Sequence, residues 1–265
     1  MKKIKFGLSI IKLFMKNQMQ DKTNILLDIT NMFARCIIVF LLYSYIFSIN
    51  SEGISGIDYK SSMWSMYIYF CIMILNIRRI DNTIMLEVKS GNVEMFMNKP
   101  KSYITISFLK TIGQGLFSFI FISIIGSIIM ALFVGIPNLD LKLFIPTFII
   151  TLVLGQILAL LIYGIIGLCA FFIQDIKPIH WIIDKIVMVL GGSYLPISMF
   201  PPLLKTIAFI SPFGAINFAT STVYNSWNDE FIIRTALQLI WILIFSILLG
   251  YIYKKSKEKA MINGG

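Results

Sequence analysis

Residues 111–134 read TIGQGLFSFIFISIIGSIIMALFV, and no charged side chain interrupts them. At roughly 1.5 Å per residue, such a run carries an α-helix across the ~30 Å hydrocarbon core of a bilayer. The run is one of several. Of the 265 residues, 57% are hydrophobic and 14% are charged, and the mean hydropathy is +0.83. A soluble domain carries nearer about 25% charged residues, because its surface must stay wetted. The composition therefore implies one membrane domain over residues 1–265 and no soluble one.

Working outward from that run, spans are expected near 29–49, 61–77, 104–135, 143–173, 182–199 and 231–253. The fold class is an all-α membrane protein with six transmembrane helices. The third and fourth segments are too long for the hydrocarbon alone: about 32 residues make roughly 48 Å, so they must tilt or project. Trp64, Tyr67 and Tyr69 open the second span, where an aromatic belt belongs. Residues 1–28 form the entry. Ile4, Leu8, Ile11 and Met15 recur at helical spacing between lysines, the pattern of an amphipathic helix lying in the headgroup layer. Lys12 and Lys16 interrupt the apolar region and no small-residue cleavage site follows, which argues against a signal peptide.

Charge sets the orientation. The net charge is +10, and with both termini cytoplasmic eighteen of the 23 basic residues fall inside, four fall outside, and Arg35 lies within the first span. That bias is the positive-inside signature of a bacterial plasma-membrane protein facing the bilayer, and no nucleic-acid partner is expected. Asp28 lies seven residues before Arg35, on almost the same helical face. The two are expected to pair, or Arg35 to snorkel inward; the alternative is a role facing lipid or substrate.

Two segments between spans are unusual. The cytoplasmic stretch 78–103 has polar edges and an amphipathic core. The outer stretch 196–222 is apolar, but Pro196, Pro201, Pro202 and Pro212 break it. Prolines that dense forbid one straight helix, so short re-entrant half-helices in the outer leaflet are expected.

The chemistry of common enzymes is missing. No phosphate-binding loop, no Gly-x-Ser-x-Gly elbow and no His-Glu-x-x-His pair occurs, and His180 is the sole histidine. Cys36, Cys71 and Cys169 fall inside apolar spans without metal-ligand spacing. No catalytic residue, metal or cofactor is expected. His180 beside Trp181 reads as an interfacial residue. The spans are also nearly free of acid, whereas ion-coupled carriers hold their ion on intramembrane carboxylates. Energy for any transport must come from another subunit.

Residues 87–100, in the first unusual segment, read EVKSGNVEMFMNKP. Gly91 allows a tight turn, Val93, Phe96 and Met97 offer an apolar i, i+3, i+4 face for a groove, and Pro100 stops the helix. The stretch resembles the cytoplasmic loop of ABC-2 type transporter permeases, where an acidic residue, a glycine, a short amphipathic helix and a proline follow in that order. Glu87, Gly91, Glu94, Met95, Phe96 and Pro100 take those places, with Asn92 where the family has threonine. YLPISMFPP at 194–202 and AFISPF at 208–213 look like the family's outer half-helices. The layout matches along nearly the whole chain.

The resemblance implies a permease subunit driven by separate ATPase subunits and paired with a second permease. Such a unit exports hydrophobic or amphipathic substrates: lipids, drugs or peptides. It makes Glu87, Gly91, Val93, Glu94, Phe96, Met97 and Pro100 the ATPase-coupling residues of a cytoplasmic coupling helix. Gln114, Gln156, Tyr163 and Asn217 are polar in apolar surroundings, and either line a cavity or bond between helices. The competing reading is a membrane subunit that binds without transporting, an immunity or regulatory partner.

The topology is testable directly. In a background lacking the native cysteines, Asn50→Cys and Asn228→Cys should react with an impermeant thiol reagent on intact cells. Lys89→Cys and Lys257→Cys should react only after permeabilisation.

Overall fold

The computed structural model describes residues 2–49, 57–91, 93, 102–173, 175–193, 195–224 and 227–263. Among them every element is helical. The chain opens with α1 (Lys2–Gln20) and α2 (Lys22–Ile49). The Asp21 carboxylate accepts the Asn24 backbone N–H at 3.2 Å, an N-cap that starts α2 ahead of residue 29, where hydropathy placed the first span. Next come α3 (Tyr59–Ile74), a 3-10 turn at Ile77–Arg79 and α4 (Ile80–Lys89). Asp58 caps α3 by accepting the Ser61 N–H at 3.2 Å. Asn76, with φ 57°, breaks the path so that α4 leaves in a new direction.

Two long helices follow, α5 (Tyr103–Phe133) and α6 (Leu141–Leu168), the latter capped by Asp140 on the Lys142 N–H at 3.0 Å. Then come α7 (Lys177–Leu190), α8 (Pro202–Ile210), α9 (Pro212–Ala215), a 3-10 turn at Phe218–Val223 and the long α10 (Trp227–Asn263). Pro202 and Pro212 each open a short helix, where a missing N–H costs nothing. The broken character of 196–222 is thus real.

Among the described residues four helices are long and apolar enough to cross a membrane: α2, α5, α6 with its continuation to Phe171, and α10. The spans expected at 61–77 and 182–199 differ. They are the 16-residue α3 and the 14-residue α7, roughly 24 and 21 Å long at 1.5 Å per residue. α7 starts five residues early and stops at Gly191, because Gly192 (φ 78°) turns the chain where hydropathy alone continues.

α3 is the central post, buried on nearly every side from Met63 to Ile72. One apolar core forms around it with α2, α5 and the 219–224 segment; a second joins α4, α6, α7 and α10. The outer faces of the long helices stay apolar: Ile38, Leu132, Ile232 and Ile247 are 64%, 78%, 75% and 68% exposed. Such faces are stable only against lipid or another protein.

α1 lies along α5. Gly7 of α1 faces Leu109 and the Ile11 carbonyl sits against Gly113, while Leu8 is 61% exposed. α5 also meets the end of α3 closely at Gly115, where an added Cβ would stand 2.1 Å from the Leu75 carbonyl oxygen. Gly115→Ala should therefore force α5 off α3 and cost about 1–3 kcal/mol. Gly250, with open space around it, serves as control: Gly250→Ala should leave stability equal or higher. Thermal unfolding of the purified variants in detergent checks the pair.

Candidate functional site

α4 leaves the bundle at the end of α3 and is held there at both of its own ends. At its C-terminal end the Glu87 carboxylate accepts the Tyr103 hydroxyl at 2.5 Å and the Lys110 ammonium at 3.0 Å, both from α5. The Tyr103 backbone N–H in turn donates to the Tyr253 hydroxyl of α10 at 3.1 Å. Gly91 ends the helix with φ 73° and open space beside it. Val93 is 2% exposed and belongs to the core around Ile80, Ile84 and Tyr163. Glu94, Phe96, Met97 and Pro100 lie outside the described residues.

The N-terminal end of α4 meets a denser cluster. The Arg78 guanidinium donates to Asp184 at 2.9 Å and to the Tyr69 hydroxyl at 3.1 Å. The Tyr163 hydroxyl donates to the same Asp184 oxygen at 3.1 Å. Asp81, whose side chain is 1% exposed, pairs through Oδ2 with Nδ1 of His180 and accepts the Asn82 N–H at 2.6 Å through Oδ1. Burial pushes the Asp81 carboxyl above its ordinary value, and the bond to His180 pulls it back. α6 passes close by, since a Cβ on Gly167 would stand 3.0 Å from the Asp81 Cα. One patch of charge thus joins the end of α3, α4, α6 and α7.

This cluster was not legible from the sequence. Arg78 and Asp184 are 106 residues apart, and Asp81 and His180 are 99 apart. One signal was available: Asp81 sits with Ile80, Ile84 and Met85 on the apolar side of α4, and a carboxylate there demands a partner. His180, read as a lone interfacial residue, is that partner.

Gln114, Gln156, Tyr163 and Asn217, read as lining a cavity or bonding between helices, stand in four different surroundings. Gln114 is exposed on α5, Gln156 is half-buried on α6, Tyr163 is consumed by the Asp184 cluster, and Asn217 is fully buried against Gly191. An apolar groove of about 320 Å³ lies between α2, α3 and α5, walled by Met32, Cys36, Met63, Tyr67 and Ile122. Arg35 is exposed on α2, and no ion pair joins it to Asp28. Among the described residues no group of His, Cys, Asp and Glu could hold a metal ion. Set against known proteins, the chain matches no family model and no curated protein.

The arrangement can carry force. Charged pairs in a poorly screened setting resist separation, and these two pairs fasten a peripheral helix to the helices behind it. In a double-mutant cycle, Arg78→Ala and Asp184→Ala should be non-additive by about 1–3 kcal/mol. Unfolding midpoints of the two single variants and the double variant measure that coupling.

Proposed function

We propose that this chain is the membrane-spanning permease subunit of an ATP-driven transporter of the ABC-2 type. It has six spans and both termini in the cytoplasm of a bacterium. Separate ATPase subunits drive it, a second permease completes the pathway, and the substrate is exported and hydrophobic or amphipathic. The observation that carries the reading is the fastening of α4. The segment between the second and third spans bears the acidic–glycine–amphipathic–proline motif, and its helix is bonded to α5 through Glu87 and to α7 through Arg78 and Asp81. A push delivered to this segment therefore reaches α5 and α7 directly, and α6 and α10 through Tyr163 and Tyr253.

ATP binding and closure belong to the partner subunit. In this reading the residues from Gly91 to Pro100 form the knob that sits in the ATPase groove, and the two polar joints of α4 convey its displacement to the spans. The four exposed apolar helix faces supply the surface for lipid and for the second permease.

Phe96→Asp tests this. An unpaired charge in an apolar groove is costly, and a few kcal/mol lost there weakens assembly on the order of a hundredfold. The variant should insert and fold normally yet fail to co-purify with a co-expressed partner ATPase, whereas Lys257→Asp on the basic tail should co-purify like the parent. Undiminished co-purification and transport by Phe96→Asp would sink the assignment of residues 87–100 as the coupling segment.

A further inference from the structure

The far end of the bundle from α4 holds a second concentration of polar groups, and these carry no net charge. The segment from Ser211 to Val223 folds back between α3, α6, α7 and α10, and its residues from Gly214 to Val223 are buried. Gln238 of α10 holds it down: its Nε2 donates to the Ala215 carbonyl at 2.8 Å and to the Thr151 carbonyl of α6 at 3.1 Å. The fit is tight, since a Cβ on Gly155 would stand 2.2 Å from the Ile216 carbonyl oxygen.

Asn217 follows directly. It is 0% exposed, and neither its Nδ2 nor its Oδ1 has a hydrogen-bond partner. The amide nitrogen sits against the end of α7, where a Cβ on Gly191 would stand 2.1 Å from Nδ2. Gln238 Oε1 and Thr235 Oγ1, one turn apart on α10, and Ser193 Oγ, two residues beyond Gly191, are buried and unpartnered as well. Several unused donors and acceptors in one apolar bundle are expensive, because neither lipid nor packed side chains can satisfy them. Each such group calls for an explanation, and a ligand that uses it supplies one.

The chemistry of that user is restricted by charge. Lys110 is bonded to Glu87, and Arg234 is bonded to Glu230 at 2.5 Å and enclosed by the rings of Phe209, Phe218 and Trp227. Arg35 faces outward from α2. Among the described residues no unpaired charged side chain is buried at this junction to balance an ionic head group, whereas amide and hydroxyl groups are in surplus.

We propose that the junction of the 211–223 segment with α7 and α10 is a binding site for an uncharged, hydroxyl- or amide-bearing head group, closed in this structure, with the Asn217 side chain as its principal contact. Opening lifts Asn217 from Gly191 and turns its amide, together with Thr235 and Gln238 Oε1, toward the ligand. The proposal rests on the permease reading and narrows its substrate to amphiphiles with a neutral polar head.

The test uses the full chain and needs no ATPase, so its failure is distinct from failure of the permease reading. First, Asn217→Leu removes an unsatisfied amide at nearly constant shape, and the unfolding midpoint should rise by several degrees. Asn217→Ala, which cannot overpack, should not lower it. A lower midpoint in both variants means the amide is satisfied in the resting fold and overturns the proposal. Second, Thr235→Cys is placed in a chain whose Cys36, Cys71 and Cys169 are replaced by alanine, reconstituted in phosphatidylcholine vesicles and treated with N-ethylmaleimide. Octyl glucoside below its micellar concentration should slow labelling several-fold, octyl phosphate should not, and Asn217→Leu should abolish the protection. No protection by the glucoside, or equal protection by both amphiphiles, overturns the proposal.

Discussion

The Arg78–Asp184 ion pair, with Asp81–His180 beside it, is the joint on which the arrangement of this chain depends. Long apolar helices attract each other weakly and without direction in an apolar solvent, so packing alone leaves many arrangements close in energy. Charged pairs do not. Each of these four side chains is costly to bury alone and must find its counterpart, so α4 and α7 have one mutual position rather than many. The left-handed Asn76 turns the chain toward that joint, and Tyr69 and Tyr163 occupy the remaining bonding capacity of Arg78 and Asp184.

The opposite end is closed by different means. Arg234 reaches back one turn to Glu230, bonds Ser221 at 3.3 Å and lies among three aromatic rings, so a full charge is buried at 4% exposure with its partners in place. Gln238 adds two bonds to backbone carbonyls, and Trp241 donates to the Ile210 carbonyl at 2.9 Å. Those contacts fix the outline of the folded-back segment while Asn217 inside it stays unpartnered. The bundle is therefore tight by charge at the α4 end and loose in polar satisfaction at the other.

Much of the helix inventory was legible in the sequence. The runs around 104–135 and 143–173 are helices because nothing in them stops one, and Asp140 and Gly135 end the connection between them as local chemistry requires. The breaks in 196–222 follow from proline. Less legible were the short helices. Hydropathy continued the second span to 77 and the fifth to 199, but Asn76 and Gly192 adopt left-handed backbone and divert the chain. Asparagine and glycine permit that conformation without demanding it, so the sequence could mark those positions but not choose among them.

What the sequence by itself determined is the class of solvent, the helical nature of the chain and the segments where helices must break. Those follow from local properties, since side-chain hydrophobicity, a missing N–H or a capping carboxylate acts within a few residues. Tertiary structure alone decided which polar groups meet. Asp81 found His180, Glu87 found Lys110 and Tyr103, Tyr163 was taken up by Asp184, and Asn217 found nothing. Charge pairing acts through space over a few ångströms and is blind to separation along the chain, so these partners, up to 106 residues apart, become neighbours only when the helices have packed.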